Sequence, residues 1–176
     1  PMITPAFTAG AIYVVRNPLD VVVSYSHHLD RSIDETIDIF NRDGQLIEGD
    51  NINVYSVQGS WRQNVRSWTL RPHPSLHVVR YEDLHLNAEK TFGDIARFLQ
   101  IEAKNSALKK AIAGASFGKL KAQEKHAGFV EKAKTSKTFF RSGTSGQWKE
   151  VLSDAQRQRI VEANLEVMQR FGYRIA

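Results

Sequence analysis

Apolar residues in this chain fall into short clusters whose spacing changes from one cluster to the next. Residues 11–15 (AIYVV) form a continuous, β-branched run, the pattern of a strand buried on both faces as in a parallel sheet. Asn17 and Pro18 follow as an N-cap and a first-turn proline, and Asp20 puts a negative charge where the helix dipole favours it. A helix is therefore expected from near Pro18 to about Leu29. Ser32 and Glu35 make a capping-box pattern ahead of Ile37, Ile39 and Phe40, predicting a short helix. Residues 41–44 read as a turn and 49–51 as loop, so 30–56 as a whole reads as an irregular insertion.

Trp61, Val65 and Trp68 fall at i, i+4 and i+7, one face of a helix that ends before the RPHP segment at 71–74. Residues 76–81 (LHVVRY) read as a second strand, and Phe92, Ile95, Ala96 and Leu99 as the apolar stripe of another helix. Leu108, Ala111 and Ile112 suggest a shorter helix, whereas residues 114–146 show no clean period. Ser153 and Gln156 form a capping box for a terminal helix bearing Val161, Leu165 and Met168 on one face. No internal repeat or low-complexity tract is visible. Strands alternating with helices, and segments long enough for crossovers, point to an α/β sheet.

Composition narrows the class. At 176 residues, 41% hydrophobic and 24% charged, the chain can fill a core, which excludes global disorder and makes one globular domain (1–176) the expectation. There is no cysteine, excluding disulfides, thiol catalysis and Cys-type zinc sites. The longest apolar run, Ala9 to Val15, is too short to span a bilayer, and no signal-peptide pattern opens the chain; the expectation is a soluble, cytoplasmic protein without a membrane partner. The chain opens on Pro1 and enters a strand within ten residues, so a start upstream is expected. The net charge of +5 is concentrated between Ser116 and Arg141, which holds seven basic and two acidic residues.

In open α/β sheets ligands sit beyond the carboxyl ends of the strands. Arg16 leaves the first strand there, and the helix that follows aims its N-terminal amides at the same spot. A guanidinium offers paired donors to a phosphate, and Ser24, two helical turns beyond Asn17, adds a hydroxyl on nearly the same face. Against this stands a plainer reading in which Arg16 pairs with Asp20 and Ser24 is a small helix residue. The segment FRSGTSGQW (140–148) has two glycines that let backbone amides turn inward, with Arg141 as a fixed charge. Preceded by the basic stretch, it suits a lid over a polyanion, or equally a solvated loop. Tyr81 and Phe117 are candidates to border a base, or core aromatics.

The segment RNPLDVVVS (16–24) resembles the 3'-phosphate-binding segment of the PAPS-dependent sulfotransferases. GSWRQNVRSW (59–68) and RYEDL (80–84) are similar to the next landmarks of that family, and FRSGTSGQW to its late FRKGxxGxW block, all in the family's order. The resemblance implies the C-terminal portion of an α/β, P-loop-like three-layer domain with a parallel central sheet, truncated at its N-terminus. It implies transfer of a sulfuryl group from 3'-phosphoadenosine 5'-phosphosulfate (PAPS) to a hydroxyl or amine of a small-molecule acceptor, leaving PAP, with no metal. By matched position Arg16 and Ser24 hold the 3'-phosphate, Arg141, Ser142 and Gly143 close on it, Tyr81 borders the adenine and Phe117 stacks on it.

Some positions depart from the family pattern. Ser142 stands where the family has lysine, removing one positive charge from the pocket. The dimerisation pattern after the late block is replaced by Lys149, Ser153, Asp154 and Gln158, leaving the oligomeric state open. The PKSGTTW-type loop and the base histidine have no counterpart, so no catalytic residue is assigned; His27 and His28 read as ordinary helix histidines. Sulfuryl transfer needs a base for the acceptor's proton and cations for charge building on the leaving nucleotide. The chain is thus expected to carry the 3'-phosphate and adenine half of the site and to be inactive alone if the other half is missing. The alternatives are a basic nucleic-acid-binding module, disfavoured because the basic residues lack regular spacing, and a catalytically silent relative. A P-loop kinase is excluded by the absence of GxxxxGK[ST].

Overall fold

The computed structural model describes residues 8–49, 54–130, 138 and 143–173. These fall into two packing units. The sheet unit contains 8–16, 71–130, 138 and 143; the helical unit contains 17–49, 54–70 and 144–173.

In the sheet unit, β1 (Ala11–Val15) pairs in parallel with β4 (Leu76–Arg80), in a register that sets Ala11 opposite Leu76 and Val15 opposite Arg80. A parallel pair needs a long crossover, here residues 16–75. After β4 come α4 (Asp83–Leu86), α5 (Ala88–Phe98), α6 (Asn105–Gly114) and α7 (Phe117–Ala127). Helix α5 packs on β4, where the Phe98 ring stacks on His77 at 5.3 Å. Gly10 permits this closeness: a Cβ there would stand 3.1 Å from both the Phe98 ring and the Ser75 carbonyl oxygen. The strands are not buried on both faces as their apolar run predicts. Val15 and Val79 are buried, but Ile12 (39%), Val14 (47%) and Val78 (36%) remain exposed, because no described element covers that side.

The helical unit is built on α1 (Pro18–Leu29), α2 (Ile33–Asn41), α3 (Trp61–Thr69), the single turn α8 (Trp148–Val151) and the long α9 (Asp154–Arg170). The predicted starts hold. The Asn17 side chain accepts from the Leu19 amide at 3.0 Å, and the expected capping boxes form at Ser32/Glu35 and Ser153/Gln156, with a further one at Ser60/Gln63 that the sequence reading did not name. Ile160, Val167 and Met168 of α9 are fully buried, along with Leu19, Val22 and Val23 of α1, Ile37 of α2 and Val65 of α3. Polar contacts fix the register around α9: Arg159 pairs with Asp34 and Asp38, and Asn164 donates to the Asn41 side chain at 3.0 Å. Asp43 accepts from the Ser60 hydroxyl at 2.6 Å and from Arg62, contacts that hold its carboxyl below the usual range.

Two segments differ from the sequence reading. The 30–56 insertion contains a short antiparallel ladder, β2 (Leu46–Ile47) with β3 (Ser56–Val57), too brief to show a period of two. The aperiodic stretch after Gly114 contains α7, which has no buried residue and therefore no apolar stripe to betray it. No helix among the described residues is long and apolar enough to cross a membrane.

Candidate functional site

The site begins where the parallel strands end. One step past the ladder, the Tyr81 amide donates to the Val15 carbonyl at 2.7 Å, so the chain leaves β1 at Arg16 and β4 at Tyr81 side by side. The Arg16 guanidinium then lies over the Tyr81 ring, 4.3 Å from its centroid. Such stacking binds the cation through the ring's negative face and fixes the guanidinium plane. The His85 ring, on α4, meets Tyr81 edge-on at 4.9 Å. This is the carboxyl end of a parallel sheet, the usual ligand position in open α/β folds.

A second pair lies in the same unit. Ser116 is the N-cap of α7 and Phe117 its first residue. Gly143 has φ +64°, a conformation that side chains disfavour, and a Cβ built on it would fall 2.1 Å from the Phe117 ring. The ring therefore rests on bare backbone. Two of the sequence-predicted candidates, an aromatic and a glycine of the late block, are thus brought into contact.

Ser24 stands exposed in the second turn of α1, in the helical unit. Arg141 and Ser142 lie outside the described residues. Asp20, expected to complement the helix dipole or to pair with Arg16, does something more. It is 2% exposed, and its two oxygens accept the backbone amides of Gly146 at 2.7 Å and Trp148 at 3.3 Å. Sequence reasoning missed this role, since nothing local to Asp20 reports a partner 126 residues away.

A guanidinium stacked on an aromatic suits a phosphate, and an aromatic resting on bare backbone suits a base. The comparisons with known proteins agree in kind. The family model described as "Sulfotransferase domain" matches residues 8–172. Dog sulfotransferase 1B1 is 29% identical over 155 residues, covering 84% of this chain and 51% of the relative. Rat sulfotransferase 1A1 is 30% identical over 171 residues, with 84% and 52% covered. The chain spans about half the length of the curated relatives it matches. Among solved structures, mouse sulfotransferase SULT7A1 complexed with PAP aligns with TM-score 0.71 at 24% identity, over 91% of this chain and 58% of that one. Retinol dehydratase with androsterone and PAP aligns at 0.69 and 18% identity, over 91% and 47%. The fold is accordingly the P-loop-like α/β fold of those structures.

Proposed function

The chain belongs to the sulfotransferase domain family, and from that premise we propose that it carries the nucleotide-binding half of an enzyme transferring a sulfuryl group from PAPS to a hydroxyl or amine acceptor. Both units are read as parts of one sulfotransferase domain, since the family match runs through each. When bound, PAPS supplies the activated sulfuryl group and PAP is the leaving product. This chain's own residues bind and orient. Arg16 neutralises the 3'-phosphate with donors held in plane by Tyr81, and Ser24 adds a hydroxyl. Tyr81 borders the adenine, and Phe117 stacks on it. Arg141, Ser142 and Gly143 close on the phosphate, with the glycine offering backbone that a side chain would block.

The observation that carries the reading is the Arg16–Tyr81 stack at the ends of the parallel strands. It presents a half-buried cation, oriented before any ligand arrives, beside an aromatic of the right size to border a base. The same residues fit PAP in kind, a phosphate with an adenine close to it.

Calorimetric titration tests this. The chain should bind adenosine 3',5'-bisphosphate (PAP) at least tenfold more tightly than adenosine 5'-phosphate, which lacks the 3'-phosphate. Equal affinity for the two nucleotides, or no binding of either, contradicts the reading. Release of PAP from PAPS in the presence of a phenolic or amine acceptor separates an enzyme from a silent relative.

A further inference from the structure

The Arg16–Tyr81 stack has a third member. His85 stands four residues after Tyr81, on α4, and its ring meets the Tyr81 ring at 4.9 Å with an interplanar angle of 62°. In such a contact the positive edge of one ring meets the negative face of the other. Three hydrogen bonds hold the backbone that presents His85. The Leu84 amide donates to the Tyr81 carbonyl at 3.2 Å and the His85 amide to the Glu82 carbonyl at 3.1 Å, closing the chain directly behind Tyr81. The Thr91 hydroxyl of α5 donates to the Asp83 carbonyl at 3.0 Å, fastening α4 to the helix that packs on β4. Tyr81 itself lies one residue beyond the last paired position of the ladder, Val15 opposite Arg80. Its ring therefore takes its orientation from side-chain neighbours, Arg16 and His85 among them.

We propose that His85 is a positioning residue for nucleotide binding: its ring holds the Tyr81 ring, and through it the plane of the Arg16 guanidinium, in the orientation that receives the phosphate and base. This rests on Arg16 and Tyr81 forming the nucleotide site, and all three residues belong to the sheet unit. A guanidinium whose plane is already fixed loses less freedom on meeting a phosphate, so support for Tyr81 is read out as affinity. His85 is exposed, so truncating it opens no cavity in a core, and its effect on binding separates from any effect on folding. Phenylalanine keeps a ring at that place without the imidazole's charge or hydrogen bonding.

The test is calorimetric titration of wild type, His85→Ala and His85→Phe with PAP and with adenosine 5'-phosphate, alongside the melting midpoint of each protein. Loss of one aromatic pair predicts that His85→Ala binds PAP about threefold to tenfold more weakly, with a narrowed preference over adenosine 5'-phosphate. His85→Phe should recover at least half of that loss on a logarithmic scale. A change in PAP affinity smaller than threefold in His85→Ala, whatever its midpoint, overturns the inference while leaving the nucleotide reading intact. Recovery of less than half by His85→Phe assigns the effect to the imidazole's own polarity and overturns positioning by the ring. Wild-type protein that fails to bind PAP removes the nucleotide reading, and the inference with it. Should His85→Ala not fold, His85→Gln takes its place under the same thresholds.

Discussion

In the helical unit α9 buries Ile160, Val167 and Met168 among α1, α2 and α3, whereas α4, α5, α6 and α7 of the sheet unit contain no buried residue at all. Within the sheet unit the strands bury Val15 and Val79 but leave Ile12 and Val14 exposed. A region closed on its own core holds its geometry without help. One that keeps aromatics and cations near the surface has room for a ligand to complete it. Arg16, Tyr81, Phe117 and Gly143 all belong to the open unit, and Ser24 and Asp20 to the closed one.

The largest effect that sharpens this contrast is on stability. Ile160→Ala removes a side chain that is 0% exposed and should destabilise by about 2–5 kcal/mol in urea unfolding, whereas Val14→Ala, at 47% exposure, should fall below about 1 kcal/mol. Similar losses from the two variants break the contrast.

A smaller effect comes from two serines with the same role in sequence. Ser153 and Ser116 are both N-caps, but only Ser153 accepts a bond from its helix, from the Gln156 amide at 3.3 Å. Ser153→Ala should lower stability by about 1 kcal/mol and Ser116→Ala by a few tenths, read as shifts in the unfolding midpoint. A larger loss at Ser116 reverses the ranking.

The smallest effect is confined to alkaline solution and to the sheet unit. Burial pushes the Tyr13 hydroxyl up from the ordinary value of 10.0 to about 12. Its neutral form is favoured on folding, so this stabilising contribution is full below about pH 10 and declines as pH rises toward 12. Phenolate absorbance should show one tyrosine titrating near pH 12, and Tyr13→Phe should remove both that titration and its share of the alkaline loss. Titration of Tyr13 at the ordinary value contradicts the assignment.

Local signals made much of this architecture legible. The capping boxes at Ser32/Glu35 and Ser153/Gln156, the Asn17-Pro18 helix start and the β-branched run at 11–15 each act within a few residues, and each element formed where its signal lay. Arg16 and Tyr81 were legible as strand-end residues, but their stacking depends on the β1–β4 register, which only tertiary pairing sets. Helix α7 escaped notice because an exposed helix needs no apolar stripe. The Asp20 contacts and the seat of Phe117 on Gly143 join residues far apart in the chain, beyond the reach of any window.

The central claim is that Arg16 recognises the 3'-phosphate of a nucleotide, and the preference for PAP over adenosine 5'-phosphate measures it most directly when compared between wild type and Arg16→Ala. Loss of a charge-assisted contact of about 1.5–3 kcal/mol predicts that the variant binds PAP roughly tenfold to 150-fold more weakly, with little change for adenosine 5'-phosphate, so that the preference largely disappears. A preference kept in full by the variant would contradict the account.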